Sequence, residues 1–109
     1  MADLYMVRSY DIEVNDARPI SINALTDRDR LQEEWEQLTP SERKEVFIID
    51  EILLDEALNY ADENIEPQVM EDHPDKPLEH WWWHLGDIVH GEYQGQLPDY
   101  LASMIENGK

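Results

Sequence analysis

The chain has 109 residues, no cysteine, and 26 acidic against 8 basic side chains, for a net charge of −18. That length suits one domain with a modest core, and the composition excludes disulfides, thiolate metal sites and cysteine nucleophiles. Phosphates would be repelled, which argues against direct binding of nucleic acid.

No apolar run approaches the ~20 residues of a membrane span. The opening MADLYMVRSYDIEV has no basic stretch leading into an apolar one. The expectation is therefore a cytoplasmic protein with no secretory signal and no membrane contact. Strong acidity also fits disorder, but four Trp, five Tyr and regularly spaced Ile and Leu supply enough apolar surface to fold.

Along residues 5–14, Met6, Arg8, Tyr10, Ile12 and Val14 alternate with Ser9, Asp11 and Glu13. Such alternation predicts a half-buried strand. NDARP at 15–19 carries turn formers, and Ile20 and Ile22 alternate again, so a β-hairpin over about 4–23 is expected, packed on helices.

TDRDRLQEEWEQL predicts a helix over 26–38 with Thr26 as its N-cap and Leu31, Trp35 and Leu38 in one stripe. TPSE opens the next helix: Thr39 as N-cap, Pro40 in the first turn and Glu42 completing a capping box. This helix is predicted to span 40–64. It is apolar over much of its circumference, so it should be central. Asp50 falls inside that apolar arc, and a buried carboxylate needs a partner; an N-terminal arginine is the expected one.

EPQVMEDHPDKP, with three prolines and four acids, predicts a loop. Pro77 then begins a tryptophan-rich helix over 77–90, and EYQGQ is a second loop. A last helix over 98–107 has Pro98 and Asp99 at its start and Gly108 as C-cap. The expected fold is α+β and mostly helical: an N-terminal hairpin and four helices in a single domain.

The tryptophan run raises its own question, because a helix cannot bury three consecutive side chains on one face. At ~100° per residue, Leu78, Trp81, Trp82, Leu85, Ile88 and Val89 share one arc. Trp83 falls opposite, beside His80, Asp87 and His90, and is predicted to be the exposed member and an interface anchor. The competing expectation is that the hairpin or a second copy of the chain covers it, which leaves a homodimer open.

Catalytic chemistry finds little support. His80 and His84, with Asp87 three residues further on, form the weak candidate for a divalent metal. HWWWH lacks the glutamate of the zinc-protease pattern, and no fourth ligand presents itself. No serine sits in a nucleophile elbow and no glycines form a phosphate loop. The expectation is a non-enzyme without cofactor or metal.

Charge placement is more informative. Residues 45–108 contain sixteen acids and only Lys76 as a base. Glu51, Asp55, Asp62, Glu63 and Glu66, with Glu56 at one margin, cluster opposite the apolar arc of the 40–64 helix. Counting Asp50, seven acids lie over roughly 24 Å, near the ~3.4 Å charge spacing of one DNA strand. Glu71 and Asp72, together with Asp75 and Glu79, extend the same surface, and Asp87 adds to it. Ordinary charged faces interleave both signs; here lysine is nearly absent.

No family is identified by motif. In size, charge and lack of catalytic groups the chain resembles the DNA-mimic inhibitors of phages and mobile elements, of the anti-restriction and anti-CRISPR kind. It equally resembles acidic immunity proteins that cap toxic nucleases. The resemblance implies a non-catalytic inhibitor occupying the basic surface of a nucleic-acid-binding protein. The alternative is an acidic scaffold or adaptor that binds through an exposed tryptophan patch or the hairpin edge.

Overall fold

The computed structural model describes residues 4–107, and the expected cap at Gly108 lies outside them. The described residues form six α-helices: α1 Leu4–Asn15, α2 Ile22–Glu33, α3 Pro40–Asn64, α4 Pro67–Met70, α5 Leu85–Val89 and α6 Asp99–Asn107. Short 3-10 turns occupy Trp35–Gln37 and Trp81–Trp83. No strand or sheet is present among the described residues, so the domain is all-α and the expected α+β class is corrected. No described helix is long and apolar enough to cross a membrane.

The N-terminal hairpin fails for a definable reason. Alternation placed Arg8 and Ile12 on the core side, yet both are exposed, Ile12 by 44%. The side chains that are buried are Val7, Tyr10 and Val14, at helical spacing of three and four. α1 lays that stripe on α2 and α3. What survives of β pairing is a single parallel bridge between Ile20 and Ile65. There Ile20 N–H donates to the Asn64 carbonyl (2.7 Å) and Glu66 N–H to the Ile20 carbonyl (2.9 Å).

α2 begins four residues before the expected Thr26. Ser21 is the N-cap, its hydroxyl accepting from Asn23 N–H, while the Thr26 hydroxyl donates back to the Ile22 carbonyl inside the helix. The α-helix closes at Glu33, and Trp35–Gln37 continues as a 3-10 turn. α3 spans the predicted 40–64. Thr39 N–H donates to Glu42 Oε1 (2.8 Å), and Glu42 N–H donates back to Thr39 Oγ1 (3.1 Å). Tyr60 (φ −136°, ψ 26°) kinks its last turns.

α3 carries the core on Val46, Ile49, Leu53, Leu54 and Ala57, and α1, α5 and α6 pack around it. In the middle of that face Asp50 is fully buried. Its partner is Arg28, whose Nε donates to Oδ1 (2.9 Å) and Nη2 to Oδ2 (3.1 Å). Tyr10 Oη donates to Oδ1 (2.5 Å) and Tyr100 Oη to Oδ2 (2.7 Å). One carboxylate thus collects donors from α1, α2 and α6. Arg28 lies 4.5 Å from the Trp82 ring centroid and 5.2 Å from that of Trp35. Trp35, Phe47 and Tyr100 continue the aromatic wall at ring separations of 5.4 and 4.5 Å.

Burial pushes the Asp50 carboxyl above its ordinary range, and the guanidinium and two phenols work against that shift by favouring the carboxylate. Burial and then the Asp50 charge hold the Tyr10 and Tyr100 phenols above the ordinary tyrosine range.

Removing the carboxylate strands a buried guanidinium. Asp50→Ala is expected to cost ~3–5 kcal/mol in chemical denaturation, and Tyr10→Phe, which removes one of four donors to a buried carboxylate, roughly 1.5–3 kcal/mol. A phenol whose pKa is raised on folding contributes stability below the unfolded value of ~10 and loses it as pH climbs toward the folded value. Stability should therefore fall above about pH 10, with the phenolate absorbance of Tyr10 and Tyr100 appearing only as the chain unfolds.

Candidate functional site

The buried arc of α3 leaves one stripe of that helix in solvent. Glu45, Ile48, Glu51, Asp55 and Asn59 are exposed at the three-and-four spacing of one helical edge, and Asp62 and Glu63 are exposed past the Tyr60 kink. Asn59 Nδ2 donates to Asp55 Oδ1 (2.8 Å) and to the Asp55 carbonyl (3.2 Å), fixing one acid of the row. Beyond the Tyr60 kink, Glu71 and Asp72 are exposed, while Glu66 is half-buried with its carboxylate accepting from Gln68 Nε2 (2.8 Å). Asp87, on α5, is also half-buried.

Two acids drop out of the expected row. Asp50 is the core carboxylate. Glu56 is 8% exposed, accepting from Arg18 Nη1 and from Asn64 Nδ2 at 2.8 Å each, so it ties the α1–α2 connection to the end of α3. Four exposed acids therefore remain along α3 from Glu51 to Glu63. At ~1.5 Å rise per residue they span roughly 18 Å, about one charge per 6 Å, which is sparser than a DNA strand. The expected match in linear spacing is corrected.

The segment around the tryptophans is not one helix. His80 (φ −87°, ψ 71°) and His84 (φ −124°, ψ 31°) break it on either side of the Trp81–Trp83 turn. With three residues per turn, three consecutive side chains point in three directions, and all three can be buried only if the turn is enclosed. It is: Trp81, Trp82 and Trp83 are 1%, 2% and 5% exposed. Trp83 is core, and its expected role as an exposed anchor is corrected. Residues 71–80 form its cover, with Lys76 Nζ 4.5 Å from the Trp83 ring centroid and the His73 ring edge-on at 5.2 Å. Leu78, placed in the core by the helical wheel, is 44% exposed.

Asp29 holds this turn to α2. Trp82 Nε1 and Trp83 Nε1 both donate to Asp29 Oδ1 at 2.8 Å, and His80 Nδ1 lies 3.8 Å from the same oxygen. Sequence reasoning missed Asp29; its one signal was its position next to Arg28 in DRDR. On the other side, Gly86 meets α4. A Cβ there would stand 2.1 Å from the Met70 carbonyl oxygen, so the close approach of α5 to α4 requires glycine. Gly91 (φ 74°) then ends α5 in the left-handed region, where Glu92 N–H donates to the Asp87 carbonyl (2.7 Å).

The helix break also disperses the metal candidates. His80 stacks on Trp82 (4.7 Å), whereas His84 is buried, with Nε2 3.0 Å from the Pro77 carbonyl oxygen. Asp87 stands on α5 beyond them. Among the described residues no three His, Asp or Glu side chains converge on a point that could hold a metal.

Four of the seven Lys and Arg side chains among the described residues are held in contacts within the fold, and Arg8, Arg30 and Lys44 are exposed. Arg28 is buried on Asp50, Arg18 is on Glu56, Arg43 donates twice to the Trp35 carbonyl (2.8 and 3.1 Å), and Lys76 covers Trp83. The α3 edge carries Lys44 near its start and no further Lys or Arg. No protein-family model, curated protein or solved structure matches this chain.

Two expectations follow for the tryptophan turn. Trp83→Ala should destabilise the protein by ~3–5 kcal/mol, as much as Trp81→Ala or Trp82→Ala. Gly86→Ala, which drives a methyl into backbone, should cost roughly 1–3 kcal/mol. Both are read from thermal or urea unfolding of the purified variants.

Proposed function

We propose that the protein is a non-catalytic acidic inhibitor that stands in for nucleic acid on the basic surface of a target protein. The observation carrying this reading is the separation of charge. Of the three described bases past Arg30, Arg43 and Lys76 are held in contacts within the fold and Lys44 is exposed, while Glu51, Asp55, Asp62 and Glu63 face solvent on α3, with Glu71 and Asp72 beyond. A face of that kind gains little as a stability device, because like charges repel. It gains as a docking surface, since a partner with the opposite potential is steered to it. Ile48 and Tyr60, 51% and 48% exposed among those acids, supply apolar area that phosphates lack and a protein interface uses.

The target class is a protein whose function depends on binding DNA or RNA, such as a nuclease of a defence system or a toxin. The scaffold alternative loses both of its proposed surfaces, because Trp83 is buried and the hairpin does not form.

Charge reversal tests the reading. Glu51→Lys, Asp55→Lys, Asp62→Lys and Glu63→Lys together move the net charge from −18 to −10. All four side chains are exposed, so thermal unfolding should be unchanged or slightly improved. Affinity for a basic target isolated from the native host should fall by roughly 1–4 kcal/mol, the sum of four exposed charge pairs. Undiminished binding by the reversed protein would exclude this surface as the interface.

A further inference from the structure

Where α3 kinks, α4 and α5 leave a groove of about 570 Å³ against its last turns, within the ~300–1,000 Å³ range of ligand clefts. Its walls are mixed in a particular way. Leu58, Ile65, Met70 and Val89 are buried or half-buried and apolar, while Asp62, Glu63 and Glu71 are exposed on the same lining. The Tyr60 ring stands at this groove, 48% exposed, and no Lys or Arg lines it. His90 Nδ1 is engaged with the Gly86 carbonyl oxygen at 2.7 Å, so that nitrogen is the donor and is already used.

An apolar trough with an aromatic face and three carboxylates fits one kind of protein side chain. The stem must be aliphatic and the head cationic. A planar head does better than a point charge, because it can stack on a phenol ring and present a fork of donors to carboxylates. We propose that this groove receives an arginine side chain presented by the basic partner. Its stem lies along Leu58, Met70 and Val89, and its guanidinium rests against Tyr60 and the Asp62, Glu63 and Glu71 carboxylates. The inference rests on the reading of the protein as an acidic surrogate, and it adds a specific contact to a surface otherwise defined by charge. Arginines are also the side chains that a nucleic-acid-binding surface offers for planar, forked recognition.

The test compares two peptides on the full chain, fluorescein-labelled hexa-arginine amide and hexa-lysine amide, by fluorescence anisotropy across a salt series. Charge alone treats them alike. The groove predicts that the arginine peptide binds about two- to fivefold tighter, the range of an exposed cation–π contact, and that Tyr60→Ala removes the preference. Glu45→Gln with Glu51→Gln, two exposed acids outside the groove lining, should weaken both peptides equally and leave the preference intact. Equal affinities with a steep salt dependence would overturn the groove and leave the acidic surrogate standing. An arginine preference that needs Tyr60 but is flat in salt would support the groove and count against the surrogate. A preference that survives Tyr60→Ala would overturn the groove as its source.

Discussion

A single buried carboxylate organises this fold. Asp50 takes two hydrogen bonds from Arg28 and one each from Tyr10 and Tyr100, so α1, α2 and α6 are all fastened to the middle of α3. Replacing a buried ion pair by apolar side chains is often neutral, whereas breaking one partner is costly. Its value here is therefore better sought in specificity. Four donors converging on two oxygens accept few alternative packings, which suits a small domain whose helices are short apart from α3. Trp35 and Trp82 flank the guanidinium and join the 3-10 turns to the same point.

That arrangement shapes the surface as well as the core. Arg28, Arg18 and Lys76 are drawn onto Asp50, Glu56 and the Trp83 ring, and Asp29 is drawn onto two indoles. Arg18, Arg28 and Lys76 are thereby withdrawn from the outer face of α3, which keeps only Lys44 near its start. What is left outside is a row of acids whose mutual repulsion the core must outweigh. Ile48 and Tyr60 interrupt that row, so the surface is less uniform than a phosphate backbone and more like a protein interface with a strong field.

How much of this could be read from the sequence varied with how local the deciding physics was. TPSE carries its own capping box, and the helix it opens spans residues 40–64. Asp50 announced a buried partner because it interrupts an apolar arc, and Arg28 supplies it. The first helix was lost because residues 5–14 satisfy two periods at once. Met6, Arg8, Tyr10, Ile12 and Val14 alternate, but Val7, Tyr10 and Val14 are what α2 and α3 bury, a non-local choice. The tryptophan run was misplaced by assuming 3.6 residues per turn through His80 and His84, whose backbones are not helical. Burial of Glu56 and the role of Asp29 depend on partners 38 and over 50 residues away, beyond any local pattern. The groove beside Tyr60 exists only because α3 kinks there.

In the proposed reading, the outer acids of α3 and the stretch beyond it replace phosphates on a basic protein. The most direct measurement is the dependence of target affinity on salt, taken with and without competing duplex DNA. Neutralising a partner's basic groups displaces screening ions, so the logarithm of affinity should fall steeply and linearly with that of salt concentration. Duplex DNA should compete for the same surface, and this protein and the DNA should exclude one another. An affinity that stays flat from low to high salt, or a complex that binds DNA and this protein together, would rule out phosphate replacement by these acids.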